Sequence, residues 1–428
     1  MTTGYPDSYY HRTVTDHEPQ PPLEGQQIAD VCIVGAGLAG LTTAWELLKR
    51  GKTVAVVESN RVGWGASGRN GGFVSPGWSE GLSAIENKLG IDHARKLFAL
   101  SVEGADMVRA NLDELNIPDC SPISGKFLVQ RYPGADTLKT YRDHLAEAHD
   151  YHYRFVDRDE LRESLKTPVY HHALHDSRAF HFHPLNYCLG LARAVTDKGG
   201  KIFEGSPMTA LETASSGERV VFTEEGKINC GEVVLCCGGY GSKQLPRIGK
   251  AFLPIATYII LTEKLGDRLE QAVATRCAIG DGRRSSDYYR IVDEDRLLWG
   301  GRISTRNIED PTRLATMLKA DLLQVYPQLG DIKIDAAWSG LMGYAGHKMP
   351  HIAQLEPGLW SCMSFGGHGV NTTAAGARVL AEALCDESDR YRLFEPFPHS
   401  WNGGVFGPLA AETVYAWLRL QDRWKERR

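Results

Sequence analysis

Hydrophobic positions along this chain keep two rhythms. Val31 to Val34 form an unbroken β-forming run, the pattern of a strand buried on both faces of a parallel sheet. Leu41, Ala44, Leu47 and Leu48 then recur at helical spacing, Gly51 ends that helix, and Val54 to Val57 form a second run closed by Glu58. Residues 82 to 116 and 136 to 166 predict further helices, and "GKFLVQR" starts a strand at Gly125. Pro184 opens a helix that Gly199 and Gly200 close, and the strand "KIFEG" follows. "ERVVFTEEGKINCGEVVLCCGG" reads as a hairpin and a buried strand, while Ile255 to Ile303 alternate with many aromatics, as in a mixed sheet. "GLWSCMSFGGHGVNTTAAGARVLAEAL" is again strand, glycine turn and helix.

This order predicts an α/β protein: a Rossmann-like nucleotide-binding domain interrupted by a lobe with a mixed or antiparallel sheet. The expected boundaries are 25–110, 171–245 and 350–395 for the first domain and 111–170 and 246–349 for the second, with extensions at 1–24 and 396–428.

The turn between the first strand and helix carries Gly35, Ala36, Gly37, Leu38, Ala39 and Gly40. Gly35 permits a tight turn, Gly37 lets backbone approach a diphosphate, and Gly40 allows close helix–strand packing. The free N–H groups of the new helix face the anion. Glu58, followed by Ser59, stands where a carboxylate accepts both hydroxyls of an adenosine ribose, which disfavours a 2′-phosphate. A dinucleotide site is the reading; a plain βαβ unit with turn glycines is the alternative.

Glycine is 45 of 428 residues, above the usual ~7%, which suits tight turns and close cofactor approach. The formal charge of −5 offers no polybasic patch for nucleic acid. The polar, proline-rich "MTTGYPDSYYHRTVTDHEPQPPLEG" has neither a basic segment nor an apolar core, so no signal peptide or membrane anchor is expected. Nine cysteines without a CxxC pattern read as small core residues in a reducing compartment, with cytoplasm expected and no metal site.

Together, "SYY", "GWGASGRNGG", "HPLN", "DYYR", "RLLWGGR", "GHGV" and the late "NGG" resemble the FAD-dependent amine and amino-acid oxidases typified by D-amino-acid oxidase, glycine oxidase and sarcosine oxidase. The resemblance runs over nearly the whole chain and is nearest to the γ-glutamylputrescine oxidoreductase branch. It implies FAD extended across the first sheet, with the glycine turn on the pyrophosphate and Glu58 on the ribose. It places the loop Gly65, Ala66, Ser67, Gly68, Arg69, Asn70, Gly71 and Gly72 along the ribityl chain, Met208 by the adenine, and Cys237, Gly238 and Gly239 near the dinucleotide. Arg69 either touches FAD or is a solvated charge, and the Gly238–Gly239 turn either approaches the cofactor or only ends a strand.

In "GGHGVNTT", Gly367, His368, Gly369, Val370, Asn371 and Thr372 start a helix whose dipole would face the flavin edge that becomes negative on reduction. His368 contacts ring or substrate, or packs as a turn histidine. Tyr258, Tyr288, Tyr289, Arg302, Trp338 and Tyr344 are the pocket residues the resemblance suggests, with core packing as the alternative for the aromatics. Arg302 is a carboxylate clamp or an external ion pair.

The implied reaction is hydride transfer from a C–H beside an unprotonated amine to flavin N5, with later imine hydrolysis. Asn371 replaces the lysine that sarcosine oxidases carry there, and "SGLMGYAGHKMP" lacks their flavin-tethering cysteine, so noncovalent FAD is expected. "RLLWGGR" lacks an oxygen-activating lysine, which leaves O2 or another acceptor open. The substrate is a small amine or amino acid: a γ-glutamyl polyamine, or a secondary amine such as sarcosine or iminodiacetate. A dehydrogenase using a non-oxygen acceptor and a noncatalytic flavin-binding subunit are the other readings.

Overall fold

A computed structural model describes residues 4–15, 18–241, 246–283, 286–385 and 388–426. In chain order its main elements are β1 (Gly25–Val34), α1 (Leu38–Lys49), β2 (Val54–Val57), α2 (Leu82–Leu89), α3 (Ile91–Glu114), β3 (Ile123–Gln130) and α4 (Ala135–His149). Then come β4 (His172–His181), α5 (Pro184–Asp197), β5 (Lys201–Phe203), β6 (Gly226–Leu235), β7 (Leu253–Thr262), β8 (Ala278–Asp281), β9 (Tyr288–Val292) and β10 (Arg296–Ser304). The last are α6 (Pro311–Val325), β11 (Ile334–Tyr344), β12 (His351–Glu356), β13 (Leu359–Met363), α7 (Gly369–Leu384) and α8 (Gly407–Glu426).

Two sheets result. The first runs β12-β13-β6-β1-β2-β5, with the hairpin Ala210–Thr213/Arg219–Phe222 beside β6. Its centre is parallel, because β1 pairs in parallel with both β2 and β6. Val31, Ile33, Val54 and Val56 are buried there, as a sheet covered on both faces requires. The second sheet runs β11-β7-β10-β9-β8-β3-β4 and then Phe73–Val74. It is mixed, with β8 parallel to β3 and its other pairings antiparallel.

Three sequence expectations change. The helix over 82–116 is two helices, because Gly90 takes φ +82° between α2 and α3. The helix over 136–166 stops at Asp150 (φ +50°), and a strand at Arg154–Val156 and a short helix capped by Asp157 follow. The segment 171–245 serves both sheets, since β4 pairs with β3 in the second sheet.

Arg290, buried on β9, ties these parts together. Its guanidinium donates to the carbonyls of Gly71 (2.8 Å) and Phe182 (3.0 Å), to Nδ1 of His181 (3.0 Å) and to the Tyr10 hydroxyl (3.1 Å). A buried cation served only by neutral acceptors fixes geometry at a desolvation cost, so each acceptor is needed. The motifs "SYY" and "DYYR" thus meet in space. His183 completes the cluster: its Nδ1 accepts from the Asn186 N–H and caps α5.

Burial, and then Arg290, push His181 and His183 down to about 3 from the usual 6.5. The unfolded chain therefore binds protons below about pH 6.5 that the native chain refuses. Stability should be full above that pH and fall with acid, by about 1.4 kcal/mol per histidine per pH unit. Calorimetry from pH 7 to pH 5 is expected to show Tm falling; a flat Tm would contradict neutral burial.

Candidate active site

The glycine turn after β1 is set by contacts that leave no room for a side chain. A Cβ on Gly40 would stand 1.9 Å from the Gly35 carbonyl oxygen, and one on Gly35 (φ +109°) 2.7 Å from that of Cys236. α1 can begin directly under the turn for this reason. Its first N–H groups find partners outside the helix: Leu38 donates to Ser67 Oγ at 2.9 Å, and Ala36 just before it to Glu58 Oε2 at 2.8 Å. Glu58 Oε1 accepts from the Asn60 N–H at 2.9 Å. Burial raises the pKa of Glu58, opposed by those backbone donors.

A cavity of about 470 Å³ starts at this turn and runs between the two sheets to the N-terminus of α7. From the expected cofactor set, Gly35, Gly37, Leu38, Ala39, Glu58, Ser59, Gly65, Ala66, Ser67, Arg69, Asn70 and Gly71 line it. So do Met208, Cys237, Gly238, Gly239, Gly367, His368, Gly369 and Val370. Ala36, Gly40, Gly68, Gly72, Asn371 and Thr372 stand behind the wall. Gly68 and Gly72 are there because a Cβ would strike the Gly63 and Phe182 carbonyls at 2.4 and 2.1 Å. Asn371 donates to the Ser101 carbonyl, and Thr372 Oγ1 to that of His368. Asn70 holds the loop, donating to the carbonyls of Ala66 and Ser67 and accepting from the Gly72 N–H.

Arg69 is not a solvated charge. Its guanidinium lies 4.7 Å from the Trp64 ring centre and donates to the Tyr240 hydroxyl (2.6 Å) and the Ser339 carbonyl (3.2 Å).

The aromatic expectations divide between cavity and core. Tyr288 and Tyr344 line the cavity. Tyr289, next to Tyr288, points the other way: it stacks on Trp299 at 4.3 Å and bonds the Tyr326 hydroxyl at 2.6 Å. Tyr258 is also core, its hydroxyl donating to the Arg306 carbonyl. Trp338 is buried and donates to the Arg69 carbonyl at 3.0 Å. Arg302 reaches the cavity rim, but Asp321 takes its guanidinium in two bonds of 2.6 and 2.9 Å. The carboxylate clamp is therefore already filled.

Lys126, Ser75 and Ser364 were not expected in the lining. Lys126, on β3, lines the cavity beside His368, and its ammonium donates to Ser75 Oγ at 2.9 Å. Its exposure is to this interior space, so desolvation lowers its pKa. His368 Nε2 lies 2.7 Å from the Ser75 carbonyl, which identifies that nitrogen as the protonated one. Burial, with Lys126 nearby, pushes His368 down to about 4, so the ring is neutral at pH 7. Ser364 lines the same wall at φ +63° with its hydroxyl buried and unpartnered. Nothing in the sequence marked Lys126, since "GKFLVQR" carries no motif.

Away from the cavity, Glu86 Oε1 accepts from Nε2 of His144 and His149, both at 2.7 Å. Among the described residues no helix is long and apolar enough to cross a membrane.

A close glycine turn after β1, a carboxylate just beyond β2 and a groove roofed by a second sheet fit a flavin-dependent oxidoreductase architecture. The comparisons make this specific. Residues 30–383 match the DAO family model, described as FAD dependent oxidoreductase. A probable oxidoreductase OrdL from Haemophilus influenzae is 30% identical over 98% of this chain and 97% of its own. The γ-glutamylputrescine oxidoreductase of Escherichia coli is 30% identical over 98% and 99%. The glycine oxidase structure from Geobacillus kaustophilus aligns with TM-score 0.73 at 18% identity, covering 87% of this chain and 99% of that one. The chain belongs to the DAO family of FAD-dependent oxidoreductases. It is an enzyme that oxidises amines or amino acids at C–N, with FAD held noncovalently.

The residues fit that cofactor. The close glycine turn and the N-terminus of α1 suit a pyrophosphate, Glu58 an adenosine ribose, and the orphan Ser364 hydroxyl a polar group of a bound ligand. Replacing Glu58 by alanine should weaken FAD binding about 10- to 100-fold in a fluorescence titration; unchanged affinity would show the carboxylate has another job. The yellow colour should leave the protein on acid precipitation, and colour retained in the pellet would refute noncovalent attachment.

Proposed function

We propose that this enzyme oxidises the C–N bond of a small amine that also carries a carboxylate, of the γ-glutamyl polyamine type, with O2 as electron acceptor. The observation that carries the substrate class is Lys126. It is a cavity-facing ammonium whose hydrogen bond goes to a hydroxyl and not to an acid. A carboxylate entering the pocket would complete its pairing and offset its desolvation. Full-length similarity to a γ-glutamylputrescine oxidoreductase supports the same class.

Bound in the groove, FAD supplies a two-electron acceptor for the C–H beside nitrogen. The chain's part is placement. Tyr288 and Tyr344 shape an apolar wall against the substrate's carbon chain. His368, neutral and fixed by Ser75, offers no negative charge that would hold the amine as an ammonium, and the Lys126 cation beside it disfavours a second one. The amine can therefore bind unprotonated, with its lone pair available. The start of α7, immediately after His368, would offer its N–H groups to a bound flavin edge that gains negative charge. Water reaching the imine then releases a carbonyl compound and a smaller amine.

Anaerobic mixing with a panel of γ-glutamyl amines and N-substituted glycines tests the substrate class. The γ-glutamyl amines should bleach the flavin fastest, and admitting air should restore the colour with peroxide release. Bleaching only by N-substituted glycines would reassign the substrate, and colour that returns only with a quinone would reassign the acceptor. Lys126→Met should raise KM about tenfold or more for a carboxylate-bearing amine and leave an uncharged amine nearly unaffected. Equal losses for both would remove Lys126 from substrate recognition.

A further inference from the structure

Large apolar side chains on this molecule are covered almost everywhere except along its last helix. Of the ten exposed large hydrophobic residues among those described, eight lie between Trp401 and Trp424. α8 is amphipathic in the unusual sense, with its polar anchors turned inward. Glu412 Oε1 accepts from Ser304 Oγ (2.8 Å) and the Thr305 N–H (2.6 Å), and Glu426 pairs with Arg131 at 2.9 Å. These two acids, near opposite ends of the helix, pin one face to the body, with half-buried Tyr415 and Leu418 between them.

The opposite face is a stripe. Phe406 precedes the helix, and Leu409, Val414, Trp417, Leu420 and Trp424 follow at mostly three- to five-residue intervals, each more than half exposed. Between 404 and 420 no exposed position carries a charge. The eight exposed side chains present roughly 1,000 Å², beyond the few hundred Å² usual for the largest patch on a monomer. About 800 Å² per partner suffices for a stable specific interface.

We infer that α8 pairs with α8 of a second copy of this chain, making a two-fold homodimer. An uncharged stripe is complementary to itself, as a two-fold contact demands, and its three- and four-residue steps are those by which two helices interlock. An anionic lipid surface fits less well: the stripe has no cationic rim along most of its length, and the chain as a whole carries −5. Since α8 rests on the strand that ends at Ser304, the pairing also buttresses the rim of the cavity at Arg302.

Light scattering on the size-fractionated holoenzyme should give twice the 47.3 kDa of one chain. Trp417→Glu/Leu420→Glu should be monomeric with its flavin content intact. The single change Leu409→Lys should shift the same equilibrium toward monomer, and guards against misfolding of the double variant. Ile28→Glu, on an exposed residue of β1, should remain dimeric. Three results would overturn the inference: a monomeric wild type, a dimer indifferent to all the α8 changes, or a monomer that floats with anionic vesicles.

Discussion

The structure depends on the absence of side chains at one turn. Because Gly35, Gly37 and Gly40 carry no Cβ, α1 starts against the end of β1, and the Ala36 and Leu38 N–H groups stay available to Glu58 and Ser67. A single methyl group at Gly40 would overlap the carbonyl oxygen of Gly35, the residue just after β1 whose N–H bonds the Val57 carbonyl. The groove that begins at the turn, with Glu58 beside it, follows from that close approach.

Around this turn the protein spends polar groups sparingly. Arg290, Arg69 and Lys126 are cations at or near the cavity held by carbonyls, hydroxyls, a neutral imidazole or aromatic faces. The effect differs by position. Arg290 fixes the loop that carries Gly71, Arg69 braces that loop against the second sheet, and Lys126 faces the cavity from β3. Where a cation was to be neutralised permanently, the fold supplied an acid, as Asp321 does for Arg302.

Much of this was legible in the chain. The βαβ unit, Glu58, the glycine loop and the start of α7 rest on local patterns, and local geometry decides them. Parity within the second sheet was not legible, because a run such as Tyr288–Tyr289 does not say which ring faces the cavity. Arg302 was a sound clamp by composition but met Asp321, a residue of a helix that no motif links to it. Lys126 and Ser75 lie in separate segments that meet only once β3 packs beside the loop. Long-range pairing chose them, and no periodicity records that choice.

We propose that the groove holds a flavin bearing an adenine half, gripped between the glycine turn, Glu58 and Met208. Apoprotein titrated separately with FAD and with FMN tests it most directly. FAD should bind at least a hundredfold more tightly, the contribution expected of pyrophosphate and ribose contacts together. Equal affinity for the two flavins would mean that the turn and its carboxylate hold no dinucleotide.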